Sequence, residues 1–262
     1  MQYQAHDYQK RATQLVIDIP RIGLFLDMGL GKTVITMTAI QELMFDRFEV
    51  SRVLVIAPKR VAEDTWTREH AKWDHLKDLR ISKVLGNEQQ RVRALKAEAD
   101  IYVIWLTEYY QGLRKGWPFD MIVIDELSSF KNPQAKRFRA LRKVIPLVKR
   151  VVGLTGTPSP NGMMDLWAEV YLLDQGERLG KTLGAYREKY FRPGARNGYV
   201  VYKWEPYRNA QKEIEDKISD ICISMSAADY LKLPERIDNI IPVQLSPAEM
   251  QAYKTMESCL LY

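Results

Sequence analysis

The stretch Leu24-Phe25-Leu26-Asp27-Met28-Gly29-Leu30-Gly31-Lys32-Thr33 runs from apolar residues into two closely spaced glycines, then a lysine and a threonine. Glycine lets the backbone turn left-handed, and the N–H groups of such a turn point inward as an anion cradle. A helix starting at the lysine adds its positive end at the same place. In a P-loop of this kind, Met28, Gly29, Leu30, Gly31, Lys32 and Thr33 line the phosphates of ATP. Lys32 reaches the β- and γ-phosphates, and the Thr33 hydroxyl ligates Mg²⁺. The strict pattern has glycine at position 26, where this chain has Leu26.

A second set of chemical groups lies far along the chain. Met121-Ile122-Val123-Ile124-Asp125-Glu126 is an apolar run ending in two acids. One carboxylate at such a place can hold Mg²⁺ through water, and its neighbour can orient and deprotonate an attacking water. Asp125 is assigned to the metal and Glu126 to the water, with Lys32 completing the catalytic set. Leu154-Thr155-Gly156-Thr157-Pro158 is the third element. Thr155, Gly156 and Thr157 place two hydroxyls beside a glycine where they could bond Glu126 or the γ-phosphate region and report hydrolysis elsewhere.

These residues need a scaffold that gathers them. Ile22–Leu26, Val53–Ala57, Ile101–Leu106, Met121–Ile124 and Val151–Leu154 read as buried strands, with helical periodicity between them at Val34–Met44 and Val61–Trp73. Continuous apolar strands alternating with helices predict an α/β fold, a mostly parallel sheet flanked by helices whose ligands gather at the strands' carboxyl ends. Beyond Asp174 the pattern predicts helices at Leu183–Tyr190 and Ala210–Ile218 and a hairpin turning at Asn197-Gly198. Ile237–Leu245 reads as a strand, and Ser246-Pro247-Ala248-Glu249 as a capped helix start. Trp66, Trp73, Trp105 and Trp167 lie on apolar faces or runs and are assigned to the core.

Composition narrows the class. Of 262 residues, 46% are hydrophobic and 27% charged, as in a folded soluble protein, and the net charge of +6 leans toward a polyanionic partner. No apolar run reaches the roughly 18–20 residues of a membrane span. Two cysteines and three histidines show no disulfide or metal-ligand spacing. A cytoplasmic protein without membrane partner or structural metal is expected.

Together the three elements resemble the superfamily-2 helicases, and more narrowly the Swi/Snf-like DNA translocases of compact microbial or phage type. The matching residues are Met28–Thr33, Asp125-Glu126-Leu127-Ser128 and Leu154–Pro158. They are joined by Lys131-Asn132-Pro133, Asn161, Leu166-Trp167, Tyr8-Gln9, Ala57-Pro58, Trp66 and Leu233-Pro234-Glu235. The resemblance implies a RecA-like P-loop NTPase fold and ATP-driven movement on duplex DNA. It also implies that Gln9 reads adenine, for which a carboxamide's donor and acceptor suit the N6/N7 edge. Lys59, Arg60 and Thr107 occupy the positions that touch the DNA backbone. Leu127-Ser128 stands where many members have Ala-His, which is expected to loosen the link to Thr155–Thr157.

The implied organisation is a RecA-like first lobe over residues 1–173, a helical and β-hairpin extension over 174–236, and the start of a second lobe over 237–262. That second lobe supplies an arginine finger in the family, so residues 1–262 alone are expected to hydrolyse ATP poorly. The alternative reading is a nucleotide-gated module that binds DNA or a partner without productive turnover. Lys131–Arg150 holds eight Lys/Arg and no acid, and reads better as a solvated helix face than as a DNA track. Arg187–Arg208 interleaves aromatics with cations, as base stacking or a self-packed hairpin would.

Overall fold

The computed structural model describes residues 1–105, 117–159, 162–197, 200–231, 242 and 244–259. Those residues fall into two compact units, Met1–Leu231 and Lys232–Tyr262.

The first unit is built on seven parallel strands. They are β1 (Arg21–Leu26), β2 (Val53–Ala57), β3 (Ile81–Val84), β4 (Ile101–Trp105), β5 (Met121–Asp125), β6 (Arg150–Thr155) and, after the short strands β7 to β10 given below, β11 (Cys222–Met225). Their order across the sheet is β11-β1-β6-β5-β2-β4-β3, and every pairing is parallel. A parallel sheet is covered on both faces, which explains the unbroken apolar runs of its interior strands.

Side chains along a strand alternate between the faces. Leu24, Val53, Val55, Val123 and Leu154 enter one core with helices α1 (Asp7–Asp18), α2 (Lys32–Gln41) and α3 (Trp66–Lys72). Phe25, Leu54, Ile56, Ile122 and Ile124 enter the other. After α4 (Glu88–Lys96), that second core is closed by α5 (Lys136–Val144), α6 (Met163–Asp174), α7 (Leu183–Tyr190) and α8 (Ala210–Ile218). The fold is the RecA-like α/β arrangement that the sequence predicts.

Five strands lie where the apolar runs place them, with Leu106 outside the described residues. The two that sequence reading misses, β3 and β11, are the sheet's edges. Ile-Ser-Lys-Val and Cys-Ile-Ser-Met carry polar residues because an edge is only half covered. Through β11, the chain beyond Asp174 returns to the central sheet beside β1.

Between α7 and α8, β7 (Phe191–Pro193) pairs antiparallel with β10 (Trp204–Pro206), and β8 (Arg196–Asn197) pairs with β9 (Val200–Val201). The tip of that hairpin, Gly198-Tyr199, lies outside the described residues. Tyr190 and Phe191 are core, and Trp204 packs under the Arg187 guanidinium at 5.4 Å. Of the aromatics read there, Tyr202 and Tyr207 are exposed.

On α5, Phe138, Leu141 and Val144 face the core while Lys136, Arg137, Arg139, Arg142 and Lys143 face solvent. Arg150 is the exception in that basic run. Its buried guanidinium bonds the carbonyls of Val16 (3.1 Å) and Ile17 (2.7 Å) at the end of α1, and Glu49 at 2.7 Å.

After α9 (Ala227–Tyr230), the second unit contains α10 (Pro247–Cys259). Ser246 and Glu249 form the predicted cap, with the Ser246 N–H and hydroxyl donating to Glu249 Oε2 at 2.8 and 2.7 Å. Of the strand read at Ile237–Leu245, residues 237–241 and 243 lie outside the described set, and 242, 244 and 245 carry no strand. Among the described residues no helix is long and apolar enough to cross a membrane.

Candidate active site

Strand order decides which loops meet. β6 lies between β1 and β5, with Phe25 opposite Thr155 and Leu154 opposite Asp125. Three elements spread over more than a hundred residues of chain therefore end side by side at the carboxyl edge of the sheet. That edge is where open α/β sheets bind their ligands.

Leu26 is the fully buried last residue of β1, so the tight turning is confined to Asp27–Gly31 and needs no glycine at position 26. Gly29 and Gly31 have φ of 87° and 81°, in the left-handed region. Gly31 is also pressed from outside, because a Cβ there would come within 2.7 Å of Gln9 Nε2. The Leu30 side chain is buried and Met28 is 81% exposed, so Leu30 offers only its backbone to a ligand. α2 begins at Lys32, opening its first N–H groups toward the loop.

The Lys32 ammonium donates to the carbonyls of Leu26 (2.6 Å) and Asp27 (3.2 Å). Burial lowers its pKa, opposed by the nearby charges of Asp125, Glu126 and Asp27. Gly156 closes over it, since a Cβ there would sit 3.6 Å from Lys32 Nζ. Gln9 accepts from the His6 N–H (3.0 Å) and donates to the Leu30 carbonyl (3.3 Å), which fixes its carboxamide against the loop. A cleft of about 480 Å³ opens there, lined by Gln9, Gly29, Lys32, Thr33, Tyr3 and Trp73 among others. Trp73 is thus part of a cleft wall, its indole N–H donating to Glu69 at 2.8 Å.

Asp125 ends β5 and accepts the indole N–H of the fully buried Trp66 at 2.8 Å. Burial raises its pKa, opposed by the Trp66 bond and by Lys32. A carboxylate so desolvated is a natural cation ligand. Among the described residues no three His, Cys, Asp or Glu side chains gather as a metal cage. Mg²⁺ is usually held by one or two protein oxygens plus phosphates and water. Thr33 and Asp125 fit such a donor set.

Glu126 has φ 66° and ψ 65°, a left-handed conformation costly to any residue with a Cβ and typical of functional sites. The Thr155 hydroxyl donates to its Oε1 at 3.0 Å, and the Ser128 hydroxyl donates to the same oxygen. Among the described residues nothing bonds Oε2. The Thr157 N–H in turn donates to Thr155 Oγ1 at 3.2 Å. The looser coupling expected from Leu127-Ser128 is not what the structure shows, because Ser128 and Thr155 meet directly on Glu126.

The remaining assignments divide. Lys59 and Arg60 are exposed at the end of β2, away from the phosphate cleft, and Lys59 lies 3.9 Å from Glu63. Lys59 instead lines a separate cavity of about 300 Å³ with Trp105 and Arg91. Trp105 is 43% exposed and corrects the core assignment, because it is the last residue of its strand and lies beyond the covering helices. Thr107 and Asn161 lie outside the described residues. Sequence reading misses the second role of Trp66 and the buried acid Glu169, which α6 places behind Thr155–Ser159.

The model of the SNF2-related domain family matches residues 8–261. Protein p41 of Acyrthosiphon pisum secondary endosymbiont phage 1 is 38% identical over 263 residues, covering 95% of this chain and 56% of p41. The DNA excision repair protein ERCC-6-like of Bos taurus is 31% identical over 300 residues, covering 97% of this chain and 24% of that protein. The Sulfolobus solfataricus SWI2/SNF2 ATPase core in complex with dsDNA superposes with a TM-score of 0.71 at 25% identity, covering 100% of this chain and 53% of that one. The chain thus spans about half, or less, of the length of these relatives.

Proposed function

The chain belongs to the SNF2-related domain family, and on that premise we propose that it is the first lobe of a motor that hydrolyses Mg·ATP to move on duplex DNA. In this reading residues 1–173 form the ATP-binding lobe, 174–236 its extension, and 237–262 lead into a second RecA-like lobe. The observation that carries it is the state of Glu126. Two hydroxyls bond Oε1, leaving Oε2 to accept a proton from water.

The residues divide the work. The N–H groups of Gly29–Thr33 cradle the phosphates, and Lys32 leaves its two carbonyls for the β- and γ-phosphate oxygens. Thr33 and Asp125 would hold Mg²⁺, which when bound neutralises charge on the phosphates. Glu126 orients the attacking water and takes its proton. Thr155 senses Glu126 and passes its state to the loop carrying Gly156 and Thr157. Gln9, pinned against Gly31, presents its carboxamide edge at the mouth of the cleft for adenine.

Support for DNA as the track comes from the dsDNA-bound Sulfolobus solfataricus core, and the exposed Lys59 and Arg60 would meet phosphates. An arginine finger from the second lobe would raise the rate by about 10³–10⁵, so the first lobe alone turns over slowly. The test is ATP hydrolysis by the full-length protein with and without duplex DNA. Stimulation by DNA supports the motor, whereas nucleotide-dependent DNA binding without turnover would make the chain a gated binding module instead.

A further inference from the structure

Glu169 is an acid that none of the steps above uses. It lies on α6 with 0% exposure. Its Oε1 accepts the Ser159 N–H at 3.4 Å, and its Oε2 has no partner among the described residues. Ser159 has φ 48°, a left-handed conformation uncommon for a residue with a side chain. An isolated buried carboxylate is costly enough that the group stays protonated instead.

The charged and titratable groups around Glu169 agree with that. Burial is the main cause pushing its pKa up to about 8, with Asp165 on the same helix and Glu126 after β5 adding to it. The Ser159 N–H and Lys131 oppose the shift, but Lys131 also faces Asp165 at 3.9 Å. Cys222 on β11 faces the same region, and burial pushes its thiol up as well. Among the described residues no salt bridge joins a cation to Glu169.

The loop after β6 is therefore held at both ends by acids. At one end the Thr155 hydroxyl bonds Glu126, and at the other the Ser159 amide bonds Glu169. Resting on the reading of Glu126 as the base, we infer that neutral Glu169 is a positioning residue for ATP hydrolysis. It anchors Ser159 and thereby keeps the Thr155 hydroxyl on Glu126. Loss of this carboxyl frees the loop and slows turnover while leaving the phosphate cradle intact.

The experiment compares kcat and KM for ATP of Glu169→Gln and Glu169→Leu in the full-length protein by DNA-stimulated ATP hydrolysis. Glutamine keeps the accepting oxygen, so its rate should stay near wild type. Leucine should lower kcat by about three- to tenfold, the rate equivalent of one lost hydrogen bond, with KM for ATP unchanged. A wild-type kcat in Glu169→Leu, or equal losses in both variants, would overturn the proposal. Failure of the underlying reading shows separately, as unchanged turnover in Glu126→Gln.

Discussion

The indole N–H of Trp66 donates to Asp125 Oδ2 at 2.8 Å, joining the start of α3 to the end of β5 across 59 residues of chain. The indole is fully buried and desolvation is the main influence on Asp125, so this bond is the protein's own counterweight to it. Trp66→Phe keeps an aromatic ring and removes the donor. Because outer partners of this kind typically set metal affinity by 10–100-fold, half-saturating Mg²⁺ in ATP hydrolysis should rise by about tenfold. An unchanged Mg²⁺ titration would remove Trp66 from the site.

Gly31 combines a left-handed backbone with a neighbour, Gln9 Nε2, in the space a Cβ would take. Gly162 has φ 104° and nothing within 4 Å of that position. Gly162→Ala should cost only backbone strain, about 1–3 kcal/mol. Gly31→Ala should cost more in thermal denaturation and should also weaken ATP binding, as Gln9 is displaced. Equal losses in the two variants would show that Gln9 does not press on the loop.

Lys59 and Arg60 stand exposed where the phosphate backbone of DNA is proposed to run. Replacing both with glutamine should weaken duplex binding alike for all sequences. The slope of log affinity against log salt should become shallower by about 0.9 for each phosphate that is no longer neutralised. A slope equal to that of the wild type would place the DNA elsewhere.

Glu169 makes stability depend on pH with a definite sign. Its folded-state pKa, about 8, lies above the ordinary glutamate value of 4.5, so folding favours the protonated form. Its contribution is fullest below the ordinary value and is lost as pH rises through about 8. Between about pH 5.5 and about pH 8.5, wild-type Tm should therefore fall relative to that of Glu169→Gln. A constant difference would mean that Glu169 does not titrate in this range.

What is legible in the sequence follows from what burial imposes on it. The interior strands β1, β2, β4, β5 and β6 are covered on both faces and read as unbroken apolar runs, which locates them. The edges β3 and β11 mix polar and apolar residues because solvent reaches them, and no run marks them. Chemistry at the strand ends is visible as Gly-Leu-Gly-Lys-Thr, Asp-Glu and Thr-Gly-Thr, whose residue types are rarely needed for packing alone. The roles of Trp66 and Glu169 are not visible, because an indole reads as core and a lone Glu reads as surface until the fold places their polar atoms. Trp105 fails in the opposite sense, since an apolar run does not say where its cover stops.

Glu126, held by Thr155 and Ser128, is proposed as the base of a DNA-stimulated ATP hydrolase. Glu126→Gln preserves the side chain's shape and removes its basicity. In the full-length protein with duplex DNA, the steady-state rate of ATP hydrolysis should fall by at least about 100-fold while ATP still binds. A rate within a few-fold of wild type would rule Glu126 out as that base.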